Sequence, residues 1–216
     1  MDKLKNKDRR GPTLAIFKRR KKSLAEIMDR NQRIVIDFRD LIYVLAAFMV
    51  CYILLFRVVV VIGPSMYDTL LDGDRLVLMS NSIYRNPKHG DIVVISQNDF
   101  DDGECIIKRI IATEGQTVDI NFQQGVVYVD GIALQEDYAQ TPTNMWEGME
   151  FPLVVPEDCY FVMGDNRNAS KDSRNPQIGF VDRREILGKA IFLVVPGNHQ
   201  GTEKTDLGRI GFEVLK

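Results

Sequence analysis

The chain has 216 residues, 45% of them apolar and 27% charged, with a formal net charge of -2. That composition excludes a disordered chain and a many-span membrane protein, and the length gives one or two domains able to bury a core without staples. The charge is divided: residues 1–40 hold 13 Lys/Arg against 6 Asp/Glu, a basic head before an acidic body, which argues against a nucleic-acid binder and for a head that meets anionic lipid or cytosol.

In chain order the first element is a membrane segment. Leu41 to Phe56 runs without a charge, and after Arg57 the apolar character resumes at Val58 to Ile62. The first run alone falls short of the ~20 residues that span hydrocarbon; the valine-rich extension supplies the rest, and Arg57 lies near the end, where it can snorkel. A soluble core helix would keep a polar face, whereas this stretch is apolar on every side. A cleaved secretory signal fits poorly, because the preceding basic region is long and no small-residue cleavage site follows. The cluster Lys18 to Lys22, with Arg30, Arg33 and Arg39, places the amino terminus in the cytoplasm by the positive-inside rule. The expected division is a basic cytoplasmic segment 1–40, an anchor 41–62 and an extracytoplasmic domain 63–216.

The external part reads as mainly β. Arg75–Met79, Asp91–Ile95, Cys105–Ile111, Val126–Val129 and Tyr160–Met163 are short, rich in β-branched or aromatic residues and bounded by Gly, Pro, Asn or Asp, which suggests a barrel or sandwich. Asp130-Gly131 between Val129 and Ile132 is a strong hairpin signal, since a type I′ turn needs positive φ at both positions. Three cysteines are too few for a disulfide scaffold or a CxxC metal site; one bridge, Cys105 to Cys159, is open in an oxidising compartment. His89 and His199, the only histidines, stand in polar turn-like stretches and read as solvated, which leaves no histidine triad or metal site.

Three polar elements interrupt this pattern. Gly63 to Leu70 (GPSMYDTL) follows the anchor, Lys108 breaks an apolar strand, and Gly164 to Arg174 (GDNRNASKDSR) forms a dense polar loop. Strand alternation puts Lys108 and Arg109 on opposite faces, so one of the two cations must point inward. A buried lysine either pairs with a carboxylate or sheds its proton and becomes a base; a gatekeeper lysine on an edge strand is the plainer alternative. Ser65, between Pro64 and Met66, has no obvious capping role. With Lys108 it fits a Ser-Lys dyad in which the amine takes the hydroxyl proton and the serine attacks a carbonyl.

These motifs, with GDIVVI and CIIKRIIATEGQTV between them, resemble bacterial type I signal peptidase over about residues 41–195, in its shorter, single-anchor, Gram-positive-like form. The resemblance implies a single transmembrane helix followed by an extracytoplasmic, antiparallel, barrel-like β domain. It implies Ser65 as nucleophile and Lys108 as general base, Ser170 orienting that lysine, and Asp172 with Arg174 as a supporting ion pair. Asp165, Asn166 and Arg167 would be structural. Met66, Leu70 and Ile107 would line a small-residue pocket that takes Ala before the cut. Gly63 stands where some members have a second serine that donates to the oxyanion, which would leave backbone N–H alone.

The implied activity is a membrane-anchored serine endopeptidase that removes signal peptides with A-x-A sites from secretory preproteins on the outer face of the cytoplasmic membrane. It needs no metal or organic cofactor; its partners are preproteins and phospholipid, and its oligomeric state stays open. Chain length agrees: from Phe56 to Ser65 the chain extends at most ~32 Å, holding the nucleophile near the bilayer. A self-cleaving repressor would share the chemistry but not the anchor, and an inactive β module that binds or assembles would not need both Ser65 and Lys108.

Overall fold

The computed structural model describes residues 12–96, 105–198, 205–212 and 215. His199 lies outside them. The chain divides into two compact units, residues 1–52 and 53–216.

The first unit is helical. Helix α1 spans Pro12–Leu55, with proline at its first position, where a missing N–H costs nothing. Its segment Val35–Leu55 is long and apolar enough to cross a membrane, and large side chains around its circumference, Ile42, Val44 and Phe48 among them, are exposed rather than packed on protein.

The apolar stretch 41–62 is not one element. The helix stops at Leu55, and Phe56–Val60 forms strand β1, paired antiparallel with β2 (Arg75–Ser80) in a register that sets Arg57 against Leu78 and Val60 against Arg75. Four consecutive valines, Val58 to Val61, explain the switch, because β-branched side chains lose rotamer freedom in a helix and fit a pleated surface.

Every remaining strand pairing is antiparallel. The strands are β3 (Ile92–Ser96), β4 (Cys105–Thr113), β5 (Thr117–Asn121), β6 (Val126–Val129), β7 (Ile132–Ala133), β8 (Leu153–Val154), β9 (Cys159–Met163), β10 (Val181–Asp182) and β11 (Ile186–Val195). One sheet orders them β1-β2-β11-β3-β4-β9-β10 and the other β7-β6-β5-β8. The β6–β7 hairpin turns at Asp130 and Gly131, with φ of 52° and 77°, as the sequence predicts. Strand β11, between β2 and β3 inside the larger sheet, is absent from the sequence reading, whose last strand is Tyr160–Met163.

Strand β4 is covered on both faces. Ile110 belongs to a core with Val93, Val162 and Ile186, while Ile111 and Ala112 belong to another with Val118, Val127 and Phe161. Both cations are consequently buried, Lys108 at 3% and Arg109 at 1% exposure, where alternation led us to expect one.

The three cysteines are free. In the β4–β9 ladder Thr113 faces Tyr160, so Cys105 and Cys159 lie at opposite ends of the paired strands, roughly 25–30 Å apart at ~3.4 Å per residue. No Cys105–Cys159 bridge is compatible with that register.

Candidate active site

Two backbone pairs close the chain after β1: Val61 N–H donates to Asp74 O at 2.8 Å, and Gly73 N–H to Val61 O at 2.9 Å. Between them Gly63 N–H donates to the Asp72 carboxylate at 2.8 Å. Two further bonds, Tyr67 N–H to Pro64 O and Leu70 N–H to Met66 O, wind residues 64–70 into a short turn with Ser65 at its head. Met66 and Leu70, four residues apart, point the same way and anchor the turn in a core with Leu76, Leu78 and Ile92.

The turn presents Ser65 to β4. Lys108 Nζ donates to Ser65 Oγ at 2.9 Å and to Ile107 O at 3.1 Å. Burial drives the ammonium down from its usual range to about 8; the carboxylates of Asp172, Glu147 and Asp165 oppose that fall, and Arg174 adds to it. Between about pH 8 and 10.5 the unfolded chain keeps this proton and the folded chain has lost it, so the contribution of Lys108 to stability rises with pH across that window.

The loop 164–174 closes the far side. Asp172 and Arg174, both fully buried, form a bidentate pair at 2.8 and 2.9 Å. Asp172 also accepts from Gly164 N–H at 3.0 Å, and Arg174 donates to Arg167 O and Met145 O, so one guanidinium ties the loop to itself and to residue 145. Asn166 N–H donates to Ser65 O at 3.1 Å, joining the loop to the turn that bears Ser65. Gly164 allows that approach: a Cβ there would sit 2.2 Å from Ser170 Oγ and 2.5 Å from Ser65 O.

Ser170 is buried beside this contact, yet its Oγ makes no hydrogen bond among the described residues. The bond expected between Ser170 and Lys108 is therefore not formed; Lys108 is engaged by Ser65 and Ile107 instead.

A cleft of about 510 Å³ opens beside Ser65 and Lys108, lined on one side by residues 59–62 with Ser65 and Met66, and on the other by Cys105 to Lys108. Met66 and Ile107 are among the residues that line it. Leu70 is not; it is fully buried beneath the turn. Among the described residues the β4–β9 ladder begins at Arg109, so residues 105–108 pair with β3 alone, and β1 pairs with β2 alone. Both walls of the cleft thus carry unpaired strand backbone.

Several polar partners escaped the sequence reading. Arg109 makes a bidentate pair with Asp165 at 2.8 and 2.7 Å, donates to Gly90 O, and lies 4.1 Å from the centre of the Tyr138 ring. Arg167 makes a similar pair with Glu136. Glu147 stands 3.0 Å from Arg174, with its carboxyl raised by burial and by the neighbouring Asp172. Partners this far apart in sequence leave no local signal. Among the described residues no three His, Cys, Asp or Glu side chains stand together as a metal site requires.

Residues 35–195 match the signal peptidase, peptidase S26 family. The chain belongs to that family. Among its relatives, the probable signal peptidase I-1 of Synechocystis sp. is 41% identical over 147 residues, covering 64% of this chain and 71% of the relative. Signal peptidase I of Bacillus licheniformis is 37% identical, covering 70% and 82%. A solved signal peptidase I from Enterococcus faecalis V583 has 31% identity and a TM-score of 0.40, covering 49% of this chain and 97% of that one. Family membership makes this protein a serine peptidase, and the half-buried Ser65 bonded to a buried amine is a site at which such chemistry can occur.

Proposed function

We propose that this signal peptidase removes signal peptides from secretory preproteins, with Ser65 as nucleophile and Lys108 as general base. The observation that carries the reading is the 2.9 Å contact between Ser65 Oγ and an amine that burial brings down to about 8. Neutral Lys108 takes the hydroxyl proton as Oγ attacks the scissile carbonyl; the resulting ammonium returns that proton to the leaving amine, and an acyl-enzyme forms. Water then attacks the ester with Lys108 again as base, releasing the acid and freeing Ser65. No hydrogen bond among the described residues occupies the Ser65 N–H, which is available to the oxyanion. The Ser170 hydroxyl, unbonded among the described residues, would receive a hydrogen bond from the ammonium once Ser65 is acylated. Asp172 and Arg174 hold the loop that carries it.

The unpaired backbone on both walls of the cleft suits an extended peptide added as a strand. In that arrangement alternate side chains point the same way, so the first and third residues of an A-x-A site would face the wall formed by Met66 and Ile107. Helix segment Val35–Leu55 would anchor the enzyme, with the basic residues 1–40 cytoplasmic and the β unit on the outer face.

Full-length protein in detergent, given a preprotein with an A-x-A site, should cut after the third residue of that motif, read by mass spectrometry of both products. Replacing the alanine before the cut by Trp should lower kcat/KM by at least ~10²-fold; cleavage at the same bond and rate would refute the pocket assignment. The pH profile gives a second expectation. Because the base works unprotonated, kcat/KM should rise about tenfold per unit below a midpoint near 8 and level off above it. A profile still climbing beyond pH 10 would mean that burial does not lower Lys108.

A further inference from the structure

The segment after β11 lies outside the family match, which ends at residue 195, yet it reaches the turn that bears Ser65. Asp74, fully buried, accepts four hydrogen bonds: from Leu71 N–H at 2.8 Å, from Gly197 N–H at 2.6 Å, and from Arg209 at 2.9 Å to one oxygen and 2.8 Å to the other. Arg209 also donates to Thr69 O at 3.1 Å. The Thr69 hydroxyl in turn donates to Asp165 at 2.6 Å, to the same oxygen that accepts from Arg109 at 2.7 Å. A continuous polar chain therefore runs from Arg209 through the nucleophile turn to the residue next to Lys108.

We propose that Arg209 is a positioning residue for the reaction, fixing the turn 65–74 against β4 so that Ser65 Oγ stays within reach of Lys108. This rests on the dyad reading above. The carboxyl-terminal segment does not need Arg209 to stay docked. Leu193 and Gly211 exchange two backbone bonds at 3.0 and 3.1 Å, and Phe212 packs edge-on against Phe192 with ring centres 4.7 Å apart. At the other end Gly197 lies so close to the turn that a Cβ would fall 2.1 Å from Asp72 O. With both ends held, the planar fork of Arg209 is left to grip a carbonyl four residues after the nucleophile and the carboxylate at the end of its turn. Catalysis by proton transfer tolerates displacements of only ~0.5 Å, and about 1 Å can cost ~10²-fold.

The test compares wild type with Arg209→Ala, Arg209→Lys and Ser65→Ala, each full length in detergent, for kcat, KM and thermal midpoint. Arg209→Ala should lose ~10- to 100-fold in kcat with KM within about twofold when assayed well below its melting temperature, which should itself fall because the buried Asp74 carboxylate is left without its cation. Guanidinium ion at millimolar concentration should restore part of that rate, and Arg209→Lys, a point charge without the fork, should fall between. Unchanged kcat in Arg209→Ala alongside an inert Ser65→Ala would overturn the inference alone. So would a loss that follows the melting temperature and that guanidinium does not reverse. An active Ser65→Ala would overturn the dyad reading and the inference with it.

Discussion

Ser65→Ala and Lys108→Ala are each expected to lower single-turnover cleavage of a preprotein by at least ~10³-fold, and the double variant to be no slower than either single one. The reason is that in the proposed mechanism the two groups perform one act. A serine hydroxyl is a weak nucleophile until its proton leaves, and the group 2.9 Å away that can accept it is Lys108 Nζ. Remove either partner and the other has nothing to do, so the penalties do not add. Lys108→Arg should be as inert as Lys108→Ala, because a guanidinium does not deprotonate in the working range. Each variant must show the wild-type melting temperature, or higher for Lys108→Ala, since burying an amine that burial itself discharges does not help folding. Additive losses in the double variant would mean that the two residues contribute separately and that another group is the base.

How much of this site was legible beforehand depends on the range over which each signal acts. Ser65, Lys108 and the loop 164–174 announce themselves because each is a local breach of pattern: a polar residue where apolar strand or connecting loop would serve. The hairpin at Asp130-Gly131 was equally local, since positive φ at two adjacent positions has few solutions. Strand β11 was obscured by Gly188 and Lys189 within an otherwise apolar run, although Lys189 simply reaches out to Asp91 from a partly exposed position. The helix end at Leu55 was hidden for a different reason. Hydropathy does not distinguish a valine run in lipid from one in a sheet; only the pairing of Phe56–Val60 with β2 decides, and that pairing is tertiary. Leu70 packs beneath its turn, in the same core as Met66, and only Met66 of the two also reaches the cleft, which sequence spacing does not reveal. The partner of Arg109 lies 56 residues away and could not be read locally at all.

That partner sets the second large expectation. Asp165→Asn should destabilise the β unit by about 3–5 kcal/mol, because it keeps the shape of the side chain while leaving the Arg109 guanidinium charged, desolvated and facing an amide. The pair is buried on both sides, Arg109 at 1% and Asp165 at 0% exposure, so water cannot screen the orphaned charge. At roughly 2–4 °C per kcal/mol for a domain of this size, the melting temperature should fall by ~10 °C or more. The exposed pair of Arg184 and Asp182 supplies the contrast: its distance is the same 2.7 Å, but Arg184 is 89% exposed, and Asp182→Asn should leave the melting temperature where it was. The double variant Arg109→Met with Asp165→Leu separates charge from packing. Much of the cost of Asp165→Asn comes from the unpaired cation rather than from the lost pair, so the double variant should melt above Asp165→Asn. It should still cleave poorly. Asp165 also receives the Thr69 hydroxyl, and the adjacent Asn166 holds the Ser65 carbonyl, so an apolar replacement can restore the fold without restoring the register between Ser65 and Lys108. A double variant no more stable than Asp165→Asn would place the loss in the Thr69 and Gly90 contacts rather than in the buried charge.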